Sequence, residues 1–129
     1  MLDADRDVGG AAMFRLNPEL AVYVHRDPVD FRKSVNGLVA IVEQALQLDV
    51  FAPACFVFGN RRRDKVKLLG WQKNGFWLCY RRLEADRFIW PRADTVVLRL
   101  SVEQLHWLLD GIDLAALRGH HTRVFARAS

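Results

Sequence analysis

The segment Cys55–Pro91 reads CFVFGNRRRDKVKLLGWQKNGFWLCYRRLEADRFIWP, and the rest of the predicted fold is organised around it. Within it, two segments in which apolar and other residues alternate, Lys65–Gln72 and Phe76–Leu83, flank the pair Asn74-Gly75. An Asn-Gly pair in this position predicts a two-residue β-hairpin turn, because both residues tolerate positive φ. In such a hairpin, residues whose numbers sum to 149 would face each other.

Alternation divides the side chains of the hairpin between two faces of the predicted sheet. One face carries Lys67, Leu69, Trp71, Lys73, Phe76, Leu78, Tyr80 and Arg82. The other face carries Val66, Leu68, Gly70, Gln72, Trp77, Cys79, Arg81 and Leu83. Neither face is purely polar, so we expect one side of the sheet to be covered and the other to be partly exposed.

The flanking segments complete an α+β fold. We predict a single small domain with a mostly antiparallel sheet, a central basic hairpin and two main helices packed on it. The first helix begins at Asp27-Pro28, where Asp27 suits the N-cap, and runs to about Gln47. Ser101 and Gln104 form a capping box that begins the second helix. The other predicted strands are Ala21–His25, Cys55–Phe58, Arg87–Trp90 and Thr95–Leu100.

Length and composition fit one globular domain. The chain has 129 residues, 51% of them apolar, and a net charge of +4. We expect residues 1–12 to be a disordered extension, residues 13–114 the domain, and residues 115–129 a flexible tail. No apolar run approaches the roughly 20 residues that span a bilayer, and no signal-peptide pattern precedes the domain. Because Cys55 and Cys79 are expected to be thiols in strands, we predict a cytoplasmic location.

Positive charge is concentrated in the middle of the chain. Residues 61–92 contain ten Lys or Arg and three Asp or Glu, a net of +7, whereas residues 1–60 contain five basic and eight acidic residues. Arginine forks suit phosphate, and interleaved aromatics can stack on bases, so this pattern favours nucleic-acid binding. The candidate contact residues are Arg32, Lys33, Arg61, Arg62, Arg63, Lys65, Lys67, Lys73, Arg81 and Arg82.

Two groups of these cations carry separate expectations. Arg61, Arg62 and Arg63 lie on the loop before the hairpin, and we expect them to be largely exposed or matched by a partner, and to form the principal phosphate contact. Burying three adjacent unpaired charges would be prohibitive. Arg32 and Lys33 lie off the apolar stripe of the first helix, so they are expected to add a second contact surface or to form an ordinary solvated face.

A structural explanation of the same pattern stays open. Lysines and arginines at strand edges also discourage aggregation, so their charge alone does not require a ligand. We expect Trp71, Phe76 and Tyr80 to belong to the core rather than to a stacking platform, because a small sheet needs its aromatics inside.

The sequence offers few signals of catalysis. It has no Gly-rich phosphate loop, no Cys-x-x-Cys and no His-Glu-x-x-His, and no cofactor or metal is expected. Glu84 and Asp86 could bind a divalent ion, but local ion pairs with neighbouring arginines explain them more simply. A metal-dependent nuclease would require Asp64, Glu84 and Asp86 to converge.

Several separate motifs, in one order, resemble a known family. They are DFRKSVNGL (Asp30–Leu38), FVFGNRRRD (Phe56–Asp64), KLLGW (Lys67–Trp71), FIWP (Phe88–Pro91) and LLDGID (Leu108–Asp113). They are similar to the TnpB accessory protein of insertion sequence family sixty-six, which is distinct from the RNA-guided nuclease that shares this label. The resemblance implies a bacterial mobile element with a separate transposase, and it brings no established catalytic residues.

Charge and resemblance together lead to one main hypothesis. It is a non-catalytic accessory protein of a transposition system that binds the DNA of the element ends and works with the transposase, without contact to a membrane. The alternative is a protein adaptor whose arginines meet an acidic surface of the transposase. The nuclease described above is a third hypothesis.

Overall fold

Five strands form one sheet. The computed structural model describes residues 16–117. The strands are β1 (Ala21–His25), β2 (Ala54–Gly59), β3 (Lys65–Gln72), β4 (Gly75–Arg82) and β5 (Val97–Leu100). Their spatial order is β4-β3-β2-β1-β5, with β1 and β2 parallel and the other neighbouring pairs antiparallel. This confirms the predicted α+β fold, and the hairpin β3–β4 from the middle of the chain forms one edge of the sheet. Residues 1–12 and most of the predicted tail, 115–129, lie outside the described residues.

Helices cover both faces of the sheet. Helix α1 (Val35–Ala40) continues as a π-helical turn, Ile41–Ala45, and Leu38 packs with Phe56 and Leu69 on one face. Helix α2 (Val102–Leu109) packs on the opposite face and is followed by a 3₁₀ turn, Leu114–Leu117. The sheet is therefore covered on both sides, rather than on one as expected, and the outer strand β4 is the most exposed of the five strands.

The first helix begins later than predicted. Its N-terminal boundary is at Ser34, whose side chain makes no capping hydrogen bond, and not at Asp27. The Val29 N–H donates to the Gly59 carbonyl at 2.9 Å, which ties this segment to the end of β2. The Asp30 carboxylate accepts the Arg32 N–H at 2.9 Å and forms a local turn. These bonds use the backbone groups that a helix starting at Asp27 would need.

The hairpin has the predicted faces but a different register. Gln72 pairs with Gly75, so the turn residues are Lys73 and Asn74, with φ of 51° and 66°. Facing residues sum to 147 instead of 149. Because the shift is two residues and side chains alternate with period two, every side chain within β3 and β4 stays on its predicted face, whereas Lys73 moves into the turn.

Other sequence-based boundaries differ in detail. Residues 87–90 do not form the expected strand; they follow an irregular path in which Phe88 is buried and donates its N–H to the Arg63 carbonyl at 2.7 Å. The predicted capping box of α2 is confirmed, since Gln104 N–H donates to Ser101 Oγ at 3.0 Å and Ser101 N–H donates to Gln104 Oε1 at 2.9 Å.

Two global properties follow from the described part of the chain. Cys55 on β2 and Cys79 on β4 are not joined by a disulfide, and burial raises the pKa of the Cys55 thiol. Between residues 16 and 117, no helix has the length and apolar character needed to cross a membrane.

Gly70 provides a test of the observed register. It faces Trp77 across the hairpin, and a Cβ on Gly70 would lie 2.2 Å from the indole ring. We expect Gly70→Ala to lower the free energy of unfolding by about 1–3 kcal/mol, as overpacking does. Gly75→Ala is the control, because the nearest atom to its added Cβ is 4.0 Å away. Equal urea midpoints for the two variants would contradict the register.

Candidate nucleic-acid interface

The loop between β2 and β3 presents two exposed arginines. Asn60 holds this loop, because its Nδ2 donates to Asp64 Oδ1 at 2.7 Å and its Oδ1 accepts the N–H groups of Asp64 (3.2 Å) and Lys65 (3.0 Å). The hydrogen bond from Asn60 also lowers the pKa of Asp64. Arg61 and Arg62 are exposed, and within residues 16–117 neither forms an ion pair with a carboxylate.

Arg63, in contrast, is half-buried, and of the two alternatives expected for the loop arginines it meets the second, a charge matched by a partner. Its Nη2 donates to the Arg26 carbonyl at 3.0 Å, and its guanidinium lies 4.5 Å from the centre of the Trp90 ring. Burial lowers the pKa of Arg63, although nearby Asp27 opposes this effect. Gly59 makes room for it, because a Cβ there would lie 2.6 Å from Arg63 Nη1. Arg63 therefore connects its own loop to the end of β1 and to the segment that follows β4.

Lys67 is also used inside the fold. Its Nζ donates to the carbonyls of Phe31 and Lys33, both at 2.9 Å, and lies 4.9 Å from the centre of the Phe31 ring. Burial lowers the pKa of Lys67, with Asp30 acting in the opposite direction. Lys67 thus holds the loop before α1 against the hairpin.

The two arginines at the end of β4 point to opposite faces. Arg81 lies on the α2 side, where its Nη1 donates to the Leu109 carbonyl at 2.9 Å, at the negative end of the helix dipole. Arg82 lies on the α1 side and is exposed, with Nη2 2.9 Å from Glu84 Oε2. Arg82 is the cross-strand partner of Lys65 and lies on the same face, so these two cations form one positive surface. Arg81 is not part of it.

The loop before α1 brings two more predicted cations to this side. Arg32 is exposed and forms a forked ion pair with Asp30 at 2.8 Å, which lowers the pKa of Asp30 to about 2. The methylene groups of Lys33 lie 3.0–3.3 Å from the position that a Cβ on Gly37 would take, so this glycine gives the lysine room. Since Lys67 binds the carbonyl of Lys33, this region adjoins the hairpin instead of forming a separate surface.

These placements define one surface at the loop end of the hairpin. We call it the basic surface, and it consists of Arg32, Lys33, Arg61, Arg62, Lys65 and Arg82. Lys73 is not part of it, because it lies in the turn at the other end of the eight-residue strands, about 23 Å away. Arg63 and Lys67 are partly buried and support this surface from within the fold, whereas Arg81 is exposed on the opposite face, where it binds the end of α2.

Of the three aromatic side chains that were predicted to lie in the core, one is exposed. Trp71 and Phe76 are partly buried and pack together with ring centres 4.9 Å apart. Tyr80 is 49% exposed, so its expected place in the core is wrong. Phe51 is 53% exposed and packs edge-on against Trp71 at 4.8 Å. The sequence reasoning missed Phe51, for which an aromatic residue between Asp49 and Pro53, outside any predicted element, was the only signal.

The carboxylates do not assemble the site that a nuclease would need. Asp64 accepts a hydrogen bond from Asn60, and Glu84 pairs with Arg82. In the part of the chain that the structure describes, no group of three or more His, Cys, Asp or Glu side chains is arranged to hold a metal ion. The convergence that the third hypothesis required is therefore not observed.

Comparison with known proteins gives one family. The family model described as IS66 Orf2 like protein matches residues 20–119. The uncharacterized protein y4jC of Sinorhizobium fredii is 37% identical over 94 residues, which cover 73% of this chain and 80% of that protein. The uncharacterized protein y4hO of the same organism is 32% identical over 92 residues, covering 71% and 80%. No solved structure matches the chain.

The role of Lys67 leads to a stability prediction. Lys67→Met keeps the apolar stem but removes both hydrogen bonds to the loop before α1, and we expect it to lower the free energy of unfolding by about 1–2 kcal/mol. Lys65→Met is a matched control on the same strand and face, since its side chain makes no hydrogen bond within residues 16–117. Urea denaturation would measure both variants, and equal losses would show that Lys67 does not hold the loop.

His25 leads to a prediction about pH. It is buried at the end of β1 with Nδ1 2.7 Å from the Asp27 carbonyl, so we assign the proton to Nδ1. Burial lowers its pKa below 6.5, while Asp27 opposes the shift and Arg26 and Arg63 reinforce it. The unfolded chain therefore binds this proton at a higher pH than the folded chain does.

The contribution of His25 to the free energy of unfolding is therefore fully present above pH 6.5. It decreases as the pH drops from 6.5 toward the lowered pKa. The slope for one proton is at most about 1.4 kcal/mol per pH unit. His25→Asn keeps a donor near the Nδ1 position and does not titrate. Unfolding free energies measured between pH 7.5 and 5.5 should therefore depend less on pH in this variant, and identical slopes would disprove the assignment.

Proposed function

Since the chain belongs to the IS66 Orf2-like family of transposition accessory proteins, we propose that it binds the DNA of its element through the basic surface. The proposed role is non-catalytic: the protein would hold DNA within a complex that contains the transposase. Family membership supports the accessory role, and the arrangement of the cations supports the DNA contact.

The pair Arg61 and Arg62 carries this proposal. Both side chains are exposed on a loop that Asn60 and Arg63 hold in place, and neither has a carboxylate partner within residues 16–117. A guanidinium without an internal partner can form two parallel hydrogen bonds to a phosphate. Because the loop is already ordered by internal bonds, binding would cost little conformational entropy.

The remaining cations extend the contact along the hairpin. Lys65 and Arg82 face each other across the two strands next to the loop, and Lys33 adjoins them through the loop bound by Lys67. Arg32 and Arg82 are paired with exposed carboxylates, and such surface pairs contribute little energy. A phosphate can therefore replace Asp30 or Glu84 as the partner at a small cost.

A protein adaptor remains the alternative, and one observation favours it. Phe51, Trp71 and Phe76 form an aromatic cluster near the turn end of the hairpin, away from the basic surface. Exposed aromatic side chains are enriched where proteins contact each other. This cluster is the surface that we propose for the transposase, whether or not the basic surface binds DNA.

We expect Arg61→Gln/Arg62→Gln to reduce the salt dependence of DNA binding. Each neutralised phosphate contributes about 0.9 to the slope of log affinity against log salt, so the double variant should lose about 1.8. Lys73→Gln/Arg99→Gln is the matched control, because it removes the same charge at the hairpin turn and on β5. Fluorescence anisotropy with labelled DNA of the element end, at several salt concentrations, would measure all three proteins.

The results separate the two functions. A loss of slope in the loop variant and not in the control would support the basic surface, whereas equal changes in both would show that binding follows net charge alone. If the wild-type protein binds no DNA at low salt but associates with the transposase, the adaptor is correct. The unfolding curve of the loop variant should match the wild type, because Arg61 and Arg62 are exposed and unpaired within residues 16–117. The control should lose at most about 1 kcal/mol, because it removes the cation–π contact of Arg99 with the Tyr23 ring.

A further inference from the structure

We infer that the basic surface accepts single-stranded DNA and that Tyr80 stacks on one of its bases. This inference rests on the proposed function, and it specifies the form of DNA that the surface binds. It starts from an aromatic ring whose position differs from that of the other aromatic side chains on the same face of the hairpin.

Tyr80 is exposed at the outer edge of the sheet. It lies on β4, the outermost of the five strands that residues 16–117 form, and 49% of the residue is accessible. Phe76 and Leu78 lie on the same face of β4 but pack against the core under α1. The ring of Tyr80 touches only Phe31 among the aromatic residues described, with ring centres 6.4 Å apart and the planes inclined by 54°. Much of the ring is therefore free to meet a ligand.

Cations surround this ring. Arg82 is two residues further along the same face, about 7 Å away along the strand. Lys65 is the cross-strand partner of Arg82, and Lys67, the partner of Tyr80, holds the loop that carries Arg32 and Lys33. Other exposed large apolar side chains within residues 16–117 are Phe51, Ile89 and Ile112. Tyr80 lies next to Arg82 and Lys67 in the hairpin, whereas Phe51, the other exposed aromatic residue, packs on Trp71 near the turn end.

An exposed aromatic ring beside cations selects unpaired nucleotides. In a duplex, the faces of the bases are stacked on each other and only their edges are accessible in the grooves. A strand without a partner can lay a base on an aromatic side chain while its phosphates contact lysine and arginine. Phe31 and Lys67 support Tyr80 from one side, so the ring is positioned before a strand arrives.

Three variants test this inference. Tyr80→Ala removes the ring, Tyr80→Leu keeps an apolar side chain without an aromatic face, and Tyr80→Phe keeps the face without the hydroxyl. Phe51→Ala is the control, because it removes the other highly exposed aromatic side chain, which lies near the turn end of the hairpin. The probes are labelled oligodeoxythymidine of 20 nucleotides, oligouridine of the same length and a 20-base-pair duplex, measured by fluorescence anisotropy at fixed salt.

Tyr80→Ala and Tyr80→Leu should weaken binding of oligodeoxythymidine by about 5- to 150-fold, which corresponds to the loss of one stacked base. Tyr80→Phe and Phe51→Ala should bind as the wild type does, and the salt slope should not change in any variant because no charge is lost. Duplex binding should be insensitive to all four substitutions.

Several outcomes would overturn the inference. Oligodeoxythymidine binding that is unaffected by Tyr80→Leu would exclude stacking while leaving the proposed DNA contact of the cations intact. Equal losses for duplex and single strand would indicate a structural role of Tyr80, and tighter binding of oligouridine would mean that DNA is not the preferred ligand. If the wild-type protein binds none of the probes at low salt, the proposed function itself fails.

Discussion

The central strand β2 is buried along its whole length, and this condition shapes the rest of the chain. Every residue of Ala54–Gly59 is inaccessible to solvent or nearly so, and its side chains point to both faces of the sheet. Both faces must therefore be covered with apolar groups. α1 covers one face, and α2 together with the irregular segment 83–96 covers the other. The connections that lead to these layers pass the loop end of the hairpin, where their backbone carbonyls need donors.

Long cationic side chains provide these donors. Lys67 binds the loop before α1, Arg63 binds the end of β1, and Arg81 binds the last turn of α2. A charged donor satisfies a carbonyl more strongly than a neutral donor does, and the positive charge is not cancelled by a carboxylate. The lysine and arginine side chains that make this chain basic thus also hold its layers together. The cations that take no part in this, above all Arg61 and Arg62, are the ones left for a ligand.

The prediction of the fold succeeded where the pattern is local. Alternation identified both strands of the hairpin and the face of every side chain, and the capping box located the start of α2. The register differed by two residues because cross-strand packing determines it: Trp77 lies opposite Gly70, which has no Cβ to collide with the indole, instead of opposite Gln72. The start of α1 was wrong because Val29 is bonded to Gly59, a residue that is distant in the sequence.

For the candidate site, residue types and their alternation were enough to predict the amount of positive charge, its concentration in one block and its position at a loop and a hairpin. These depend only on residue type and on a period of two. Which cations are available to a ligand depends instead on contacts between segments that are distant in the sequence. The carbonyls that bind Arg63, Lys67 and Arg81 lie between 28 and 37 residues away along the chain. The exposure of Tyr80 depends likewise on its place on an edge strand beyond the cover of α1. The carbonyl acceptors and the covering helix belong to other segments of the chain, so a local sequence pattern cannot predict these contacts.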